Sequence, residues 1–151
     1  MNRRMIDNIE SFGGFTQTTS TTLSRVVDKI TLTTARHFNF PSAMHRKNKL
    51  AKFKSARLYY NRKENQIGIE FIPGLEEGAF KLIPSGENAK YGAYIVAKSF
   101  FFLNDIKAPK KAQRYDYHKT SLKKLGAKRP GTLFVINLTK KESPMLNPDK
   151  K

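Results

Sequence analysis

Two apolar alternations joined by a polar turn constrain the fold of this chain more than any other feature. In the segment ARLYY, Leu58 and Tyr60 lie on one side of an extended strand, and in QIGIEF the residues Ile67, Ile69 and Phe71 do the same. The intervening NRKEN is a short polar segment of the kind that connects antiparallel strands. These segments are therefore predicted to form a β-hairpin with one face in a core.

Further short patterns predict a mainly β chain with short helices. KITLTT, RHFNFP, AFKLIP, AYIVA, RYDYH and GTLFVINL are predicted strands. Pro41 suits the first turn of a helix through SAMHRKNKL, and KSFFFLNDI is a second short helix. Its three consecutive phenylalanines are assigned to the core, although one at least must point away. The expected class is α+β, mainly β: a small barrel-like β fold with short helices.

The length and an internal similarity define the expected organisation. The 151 residues suffice for one domain. We expect a loose N-terminal arm (1–28), a compact domain (29–138) and a disordered basic tail (139–151). A shift of 56 positions places FNFP on YIVA, SAMHRKNKL on KSFFFLNDI, and Tyr59 on Tyr115. The domain then consists of two pseudo-repeated strand–helix–hairpin units, 29–72 and 80–138, unless the similarity arose by chance.

Charge is distributed in two basic blocks. The net charge is +17. Residues 29–63, the first basic block, carry ten lysines and arginines and no acid, and residues 107–129, the second basic block, carry nine against Asp116 alone. The interval between them contains six acids and three lysines. Clustered cations of this kind indicate a polyanionic partner.

No pattern for catalysis, metal or cofactor binding occurs. The chain has no cysteine, which excludes disulfides, thiolate metal sites and cysteine nucleophiles. His37 and His45 flank a proline, and His118 is remote, so their spacing does not suit a metal site. Glu76 and Glu77 are adjacent carboxylates in a predicted turn. We expect neither an enzyme nor a small-molecule substrate, cofactor or membrane span, and we expect a cytoplasmic protein.

Nucleic acid is the expected partner, with DNA favoured over RNA and a homodimer left open. Tyr59 and Tyr115 are candidates to stack on bases. Two alternatives remain: an RNA or single-strand binder that uses tyrosine stacking, and a cationic module that binds an acidic protein. The predicted nucleic-acid contacts are Arg36, His37, His45, Arg46, Lys47, Lys49, Lys52, Lys54, Arg57, Arg62, Lys63, Lys110, Lys111, Arg114, Lys123, Lys124, Lys128 and Arg129.

The first half also resembles a known family. RHFNFPSAMHRKNKL followed by SARLYYNRKENQIGIEF is similar in order and spacing to the AbrB/SpoVT family of swapped-hairpin DNA-binding proteins. The resemblance implies a small β-barrel of two interleaved copies, with Arg36 or His37 before the proline and His45 with Arg46 after it facing DNA. It departs from the family in TTARH, which lacks the usual glycine or aspartate, and in KLAKF after the helix. The implied role is a transcription regulator or an accessory factor of a phage or plasmid.

Overall fold

The computed structural model describes residues 11–16 and 27–139. Most of the predicted N-terminal arm and of the C-terminal tail therefore lies outside the described residues. The helices are α1 (Ser42–Lys47) and α2 (Lys98–Leu103), and 3-10 turns occupy Leu50–Lys52 and Lys123–Leu125. The strands are β1 (Ser11–Phe12), β2 (Phe15–Thr16), β3 (Ile30–Leu32), β4 (His37–Phe40), β5 (Ser55–Asn61), β6 (Gln66–Ile72), β7 (Phe80–Lys81), β8 (Ile83–Pro84), β9 (Ala93–Val96), β10 (Gln113–Tyr115), β11 (Tyr117–Ser121) and β12 (Thr132–Asn137).

Two five-stranded antiparallel sheets form the body of the protein. Sheet I has the order β10-β3-β4-β9-β8, and sheet II has the order β11-β12-β6-β5-β7. The mainly β class is confirmed, but the barrel-like form is wrong, because each sheet ends in two edge strands and neither closes on itself. β1 and β2 form a separate two-stranded hairpin.

The predicted hairpin is confirmed, whereas two predicted strands are each divided between the sheets. β5 and β6 pair from Ser55 opposite Ile72 to Asn61 opposite Gln66. AFKLIP separates into β7 of sheet II and β8 of sheet I, and RYDYH separates into β10 of sheet I and β11 of sheet II. The linking residues are Leu82, whose side chain is buried, and Asp116, which forms an ion pair with Lys29.

The core lies between the inner faces of the two sheets and is closed by the helices. The ring centroids of Phe40 in sheet I and Phe71 in sheet II are 5.1 Å apart, and Phe71 makes the same edge contact with Phe134. Phe101 of α2 is fully buried. Phe102 points away from the core and is 85% exposed, so the assignment of all three phenylalanines to the core is wrong.

The internal similarity at 56 positions has a structural counterpart. Asn48 ends α1 and Asn104 ends α2, and each donates a side-chain hydrogen bond of 2.9 Å to a carbonyl of its own helix. The following residues, Lys49 and Asp105, both have left-handed φ values, 54° and 56°. Such a residue commonly terminates a helix. The two strand–helix segments therefore match residue by residue.

The pairing of the strands relates the two halves by a local two-fold axis. β4 pairs antiparallel with its counterpart β9, and β6 pairs antiparallel with its counterpart β12. An antiparallel pair of equivalent strands is mapped onto itself by a two-fold rotation between them. The helices consequently leave the β4–β9 pair at opposite ends. Among the described residues, no helix has the length and apolar character needed to cross a membrane.

Candidate nucleic-acid interface

The C-terminal end of α1 brings together cations from both basic blocks. Lys119 of β11 donates a 3.0 Å hydrogen bond to the side chain of Asn48, which lies between Lys47 and Lys49. Arg46 and Lys49 also border a surface depression with Lys52. We call this surface patch 1, and it comprises Arg46, Lys47, Lys49, Lys52 and Lys119.

A hydrogen-bond network holds patch 1 in place. Asn48 donates to the hydroxyl of Tyr117 at 2.8 Å, and that hydroxyl donates to Asp28. Lys47 donates to the other oxygen of Asp28 at 2.5 Å. Burial disfavours ionisation of Asp28, but the hydrogen bonds from Lys47 and Tyr117 outweigh it and hold the pKa of this carboxyl below its usual value. The network fixes β11 of the second half against α1 of the first.

A second group of cations surrounds the C-terminal end of α2. The guanidinium of Arg62, in the β5–β6 turn, donates a 3.2 Å hydrogen bond to the backbone carbonyl of Asn104. One depression beside α2 is lined in part by Arg36, Lys98 and Lys107, and an adjoining one in part by Lys107, Lys110 and Lys111. We call this surface patch 2, and it comprises Arg36, Arg62, Lys98, Lys107, Lys110 and Lys111.

The two patches are built in the same way. In each, the asparagine that ends the helix of one half accepts a hydrogen bond from a cation on the hairpin of the other half: Lys119 to Asn48, and Arg62 to Asn104. Each hairpin therefore reaches across the local two-fold axis to the opposite helix. Cations that are far apart in the sequence become neighbours because of this crossing.

Few patch cations are neutralised within the molecule. In the described part of the chain, Lys47 is the one patch cation with a carboxylate partner, Asp28. The ion pairs of other cations in residues 27–139 belong to Lys29, Arg57 and Arg129, which lie outside both patches. Uncompensated like charges held on a folded surface repel one another and attract a polyanion.

A buried carboxylate on the outer face of sheet II binds several residues that the sequence assigned to nucleic acid. Glu70 is 8% exposed and accepts hydrogen bonds from Arg129 at 2.8 Å and from the hydroxyl of Tyr59 at 2.7 Å. Arg57 lies opposite Glu70 in the β5–β6 ladder and pairs with both Glu70 and Glu76. We call Arg57, Tyr59, Glu70 and Arg129 the Glu70 cluster.

The Glu70 cluster anchors the basic β11–β12 loop to sheet II. Burial disfavours ionisation of Glu70, but hydrogen bonds from Arg129, Tyr59 and Arg57 outweigh it and hold the pKa of this carboxyl below its usual value. In the same loop, Leu122 packs with Leu133 of β12. The donors of Arg57 and Arg129 and the hydroxyl of Tyr59 are therefore engaged in fixing this loop.

The structure contradicts two predicted contacts outright. Tyr115 is 4% exposed and faces the core from β10, so it offers no ring to a base. His45 is 6% exposed on the inner side of α1, and burial together with the charge of Arg46 lowers its pKa, which favours the neutral form. Both predictions are wrong because the residues face inward, which local alternation did not reveal.

The remaining predicted residues are more dispersed. His37 stacks on Tyr94 across the β4–β9 pair, with centroids 5.6 Å apart, and Arg114 lies opposite Thr31 at the edge of sheet I. Five predicted lysines are exposed but belong to neither patch: Lys54, Lys63, Lys123, Lys124 and Lys128.

Sequence reasoning missed Lys98, Lys107 and Lys119 as site residues. Lys107 and Lys119 belong to the second basic block, but nothing in the sequence indicated that they adjoin a helix end. The available signal was the shared asparagine at positions 48 and 104 in the offset alignment.

Comparisons with known proteins add no assignment. No family model, curated protein or solved structure matches this chain. Within residues 11–16 and 27–139, no group of three histidine, aspartate or glutamate side chains is placed to hold a metal ion.

Proposed function

We propose that this chain binds nucleic acid, with duplex DNA as the favoured form, through patch 1 and patch 2. The observation that carries the proposal is the convergence of cations from both basic blocks at the end of each short helix. The hairpin cations come from the opposite half in each case. The resemblance to swapped-hairpin DNA-binding proteins gives the same expectation, and a regulatory or mobile-element role stays part of the proposal.

Electrostatics supports a polyphosphate as the ligand. Each lysine or arginine that neutralises a phosphate releases condensed counterions from the nucleic acid, which favours binding at low salt. The patch cations are exposed at the ends of structured elements, so little additional ordering is needed to place them against phosphates. Contacts of this kind position a protein on the backbone and carry no sequence information by themselves.

The local two-fold axis favours a duplex over a single strand. The two backbones of a DNA duplex are themselves related by two-fold axes perpendicular to the helix, so a protein with two equivalent patches can contact both strands in the same way. The single-strand alternative depended on Tyr59 and Tyr115, of which the first is anchored by its hydroxyl and the second is buried.

Salt-dependent binding of a labelled duplex, measured by fluorescence anisotropy, tests the proposal. Lys49→Ser with Lys52→Ser removes two cations of patch 1, and Lys81→Ser with Lys90→Ser removes two exposed lysines of the acidic interval. If both patch lysines contact phosphates, the slope of log K against log salt falls by about 1.8, from about 0.9 per contact. The control pair should leave the slope nearly unchanged.

Two outcomes contradict the proposal. One is the absence of any duplex binding at low ionic strength. The other is an equal effect of the two double variants, which would mean that only net charge matters. Competition with single-stranded DNA and structured RNA of equal length then compares the nucleic acids directly.

A further inference from the structure

The exposed faces of the two matched helices differ in chemistry. On the outer side of α1, the C-terminal turn presents Arg46 and Lys47. At the corresponding positions 56 residues later, α2 presents Phe102 and Leu103. The inward positions of both helices are apolar or buried, so the difference is confined to the surface.

Phe102 and Leu103 form a protruding apolar pair. Their exposed fractions are 85% and 78%, whereas the preceding Phe100 and Phe101 are buried. The pair therefore contributes nothing to the core, and it stands on the convex side of a helix. Two adjacent large apolar side chains exposed to this degree indicate a contact surface.

The surroundings of the pair carry mainly positive charge. The depression of about 580 Å³ that Phe102 borders is also lined by Arg36, Lys98 and Lys107, with Asp105 as the one acid. A second copy of the chain docking here through the same face would bring these cations together. A polyanion with an apolar interior satisfies both the cations and the pair, and stacked bases between phosphate backbones have that chemistry.

We propose that Phe102 and Leu103 are a wedge that enters between base pairs of the duplex held at patch 2 and kinks it. This inference rests on the proposed function. Apolar side chains inserted at a base step unstack it and bend the duplex, and the cost is offset by contacts that the bend allows. Patch 1, with Arg46 and Lys47 at the same helix positions, grips the backbone without a wedge. The two halves thus have different tasks: one holds the duplex, and the other deforms it.

Parallel measurements of binding and bending test this inference. A duplex of about two helical turns carries a donor and an acceptor at its ends, so a kink raises energy transfer, while anisotropy of the same duplex reports affinity. The test variant is Phe102→Ser with Leu103→Ser. The matched control is Leu75→Ser with Leu125→Ser, which removes two other exposed leucines, 68% and 61% exposed.

We expect the wild-type protein and the control to raise energy transfer on binding. The test variant should lose most of that rise while its affinity falls by no more than roughly tenfold, because the phosphate contacts remain. Thermal unfolding of both variants should match that of the wild type, since all four side chains are exposed.

The outcomes separate the two proposals. Binding without a rise in energy transfer, or a rise that the test variant retains, overturns the wedge and leaves the proposed function intact. Failure of the wild-type protein to bind any duplex overturns both. Sedimentation velocity without DNA provides a further check: a dimer that dissociates only in the test variant would show that the pair is a self-association surface, and would overturn the wedge.

Discussion

Replacing Gly92 with alanine should destabilise the protein sharply, because the two halves touch there through backbone atoms. Gly92 precedes β9 and has a φ of +90°. A Cβ atom added at this position would lie 2.0 Å from the carbonyl oxygen of Phe40 and 2.9 Å from the carbonyl carbon of Pro41. Phe40 is fully buried and paired with Ala93, so its carbonyl has no room to withdraw.

Two separate costs make up the expected loss. A left-handed φ in a residue with a Cβ costs about 1–2 kcal/mol. Overpacking against a fixed neighbour adds about 1–3 kcal/mol, and more where backbone is the obstacle. Gly78→Ala isolates the first cost, because Gly78 has a φ of +85° and its added Cβ would meet nothing within 4 Å.

Urea unfolding measures the difference between the two alanine variants. We expect Gly78→Ala to lower the free energy of unfolding by about 1 kcal/mol and Gly92→Ala by at least about 3 kcal/mol. Such a loss is a large fraction of the roughly 5–15 kcal/mol that stabilises an ordinary domain. Equal losses would refute the argument, because they would show that the junction between β9 and the start of α1 is not in close contact.

Three further predictions concern the polar contacts. Glu70→Gln should lower the free energy of unfolding by about 1–3 kcal/mol, since it weakens charged hydrogen bonds at a buried group, while exposed Glu77→Gln should change it by less than about 0.5 kcal/mol in the same urea assay. The folded-state pKa of Glu70 is depressed, so its stabilising contribution is complete above its usual value of 4.5 and is lost as the pH falls through the folded value. Urea curves from pH 7 to pH 3 should therefore fall less steeply for Glu70→Gln than for the wild type, and parallel curves would contradict this. Asn48→Ala should cost about 2–3 kcal/mol and Asn104→Ala about 1 kcal/mol, because the side chain of Asn48 has two partners beyond its helix and that of Asn104 serves its own helix alone; equal losses in thermal unfolding would mean that the network at patch 1 adds no stability.

Local patterns in the chain predicted the elements whose cause is local. The β5–β6 hairpin follows from two alternating segments and a polar turn, and α1 begins directly after Pro41. These features depend on neighbours within a few positions, which a sequence displays directly. The alignment at 56 positions likewise reflects matched strand, helix and cap residues.

Partner choice between strands could not be predicted in the same way. AFKLIP and RYDYH alternate like single strands, yet each changes sheet at one residue, Leu82 or Asp116. The change decides which face each side chain occupies, and it buries Tyr115. Pairing is set by contacts with residues far along the chain, so the period of the sequence carries no record of it.

The candidate interface divides along the same line. The sequence by itself determined that the chain is strongly cationic, that the cations fall in two blocks, and that short helices and a hairpin lie among them. Only the tertiary structure decided which cations meet: it carried Lys119 to Asn48 and Arg62 to Asn104, and it engaged Arg57 and Arg129 with Glu70. The physical reason is that charge is a property of each residue, whereas the neighbours of a charge depend on how distant strands pair and cross.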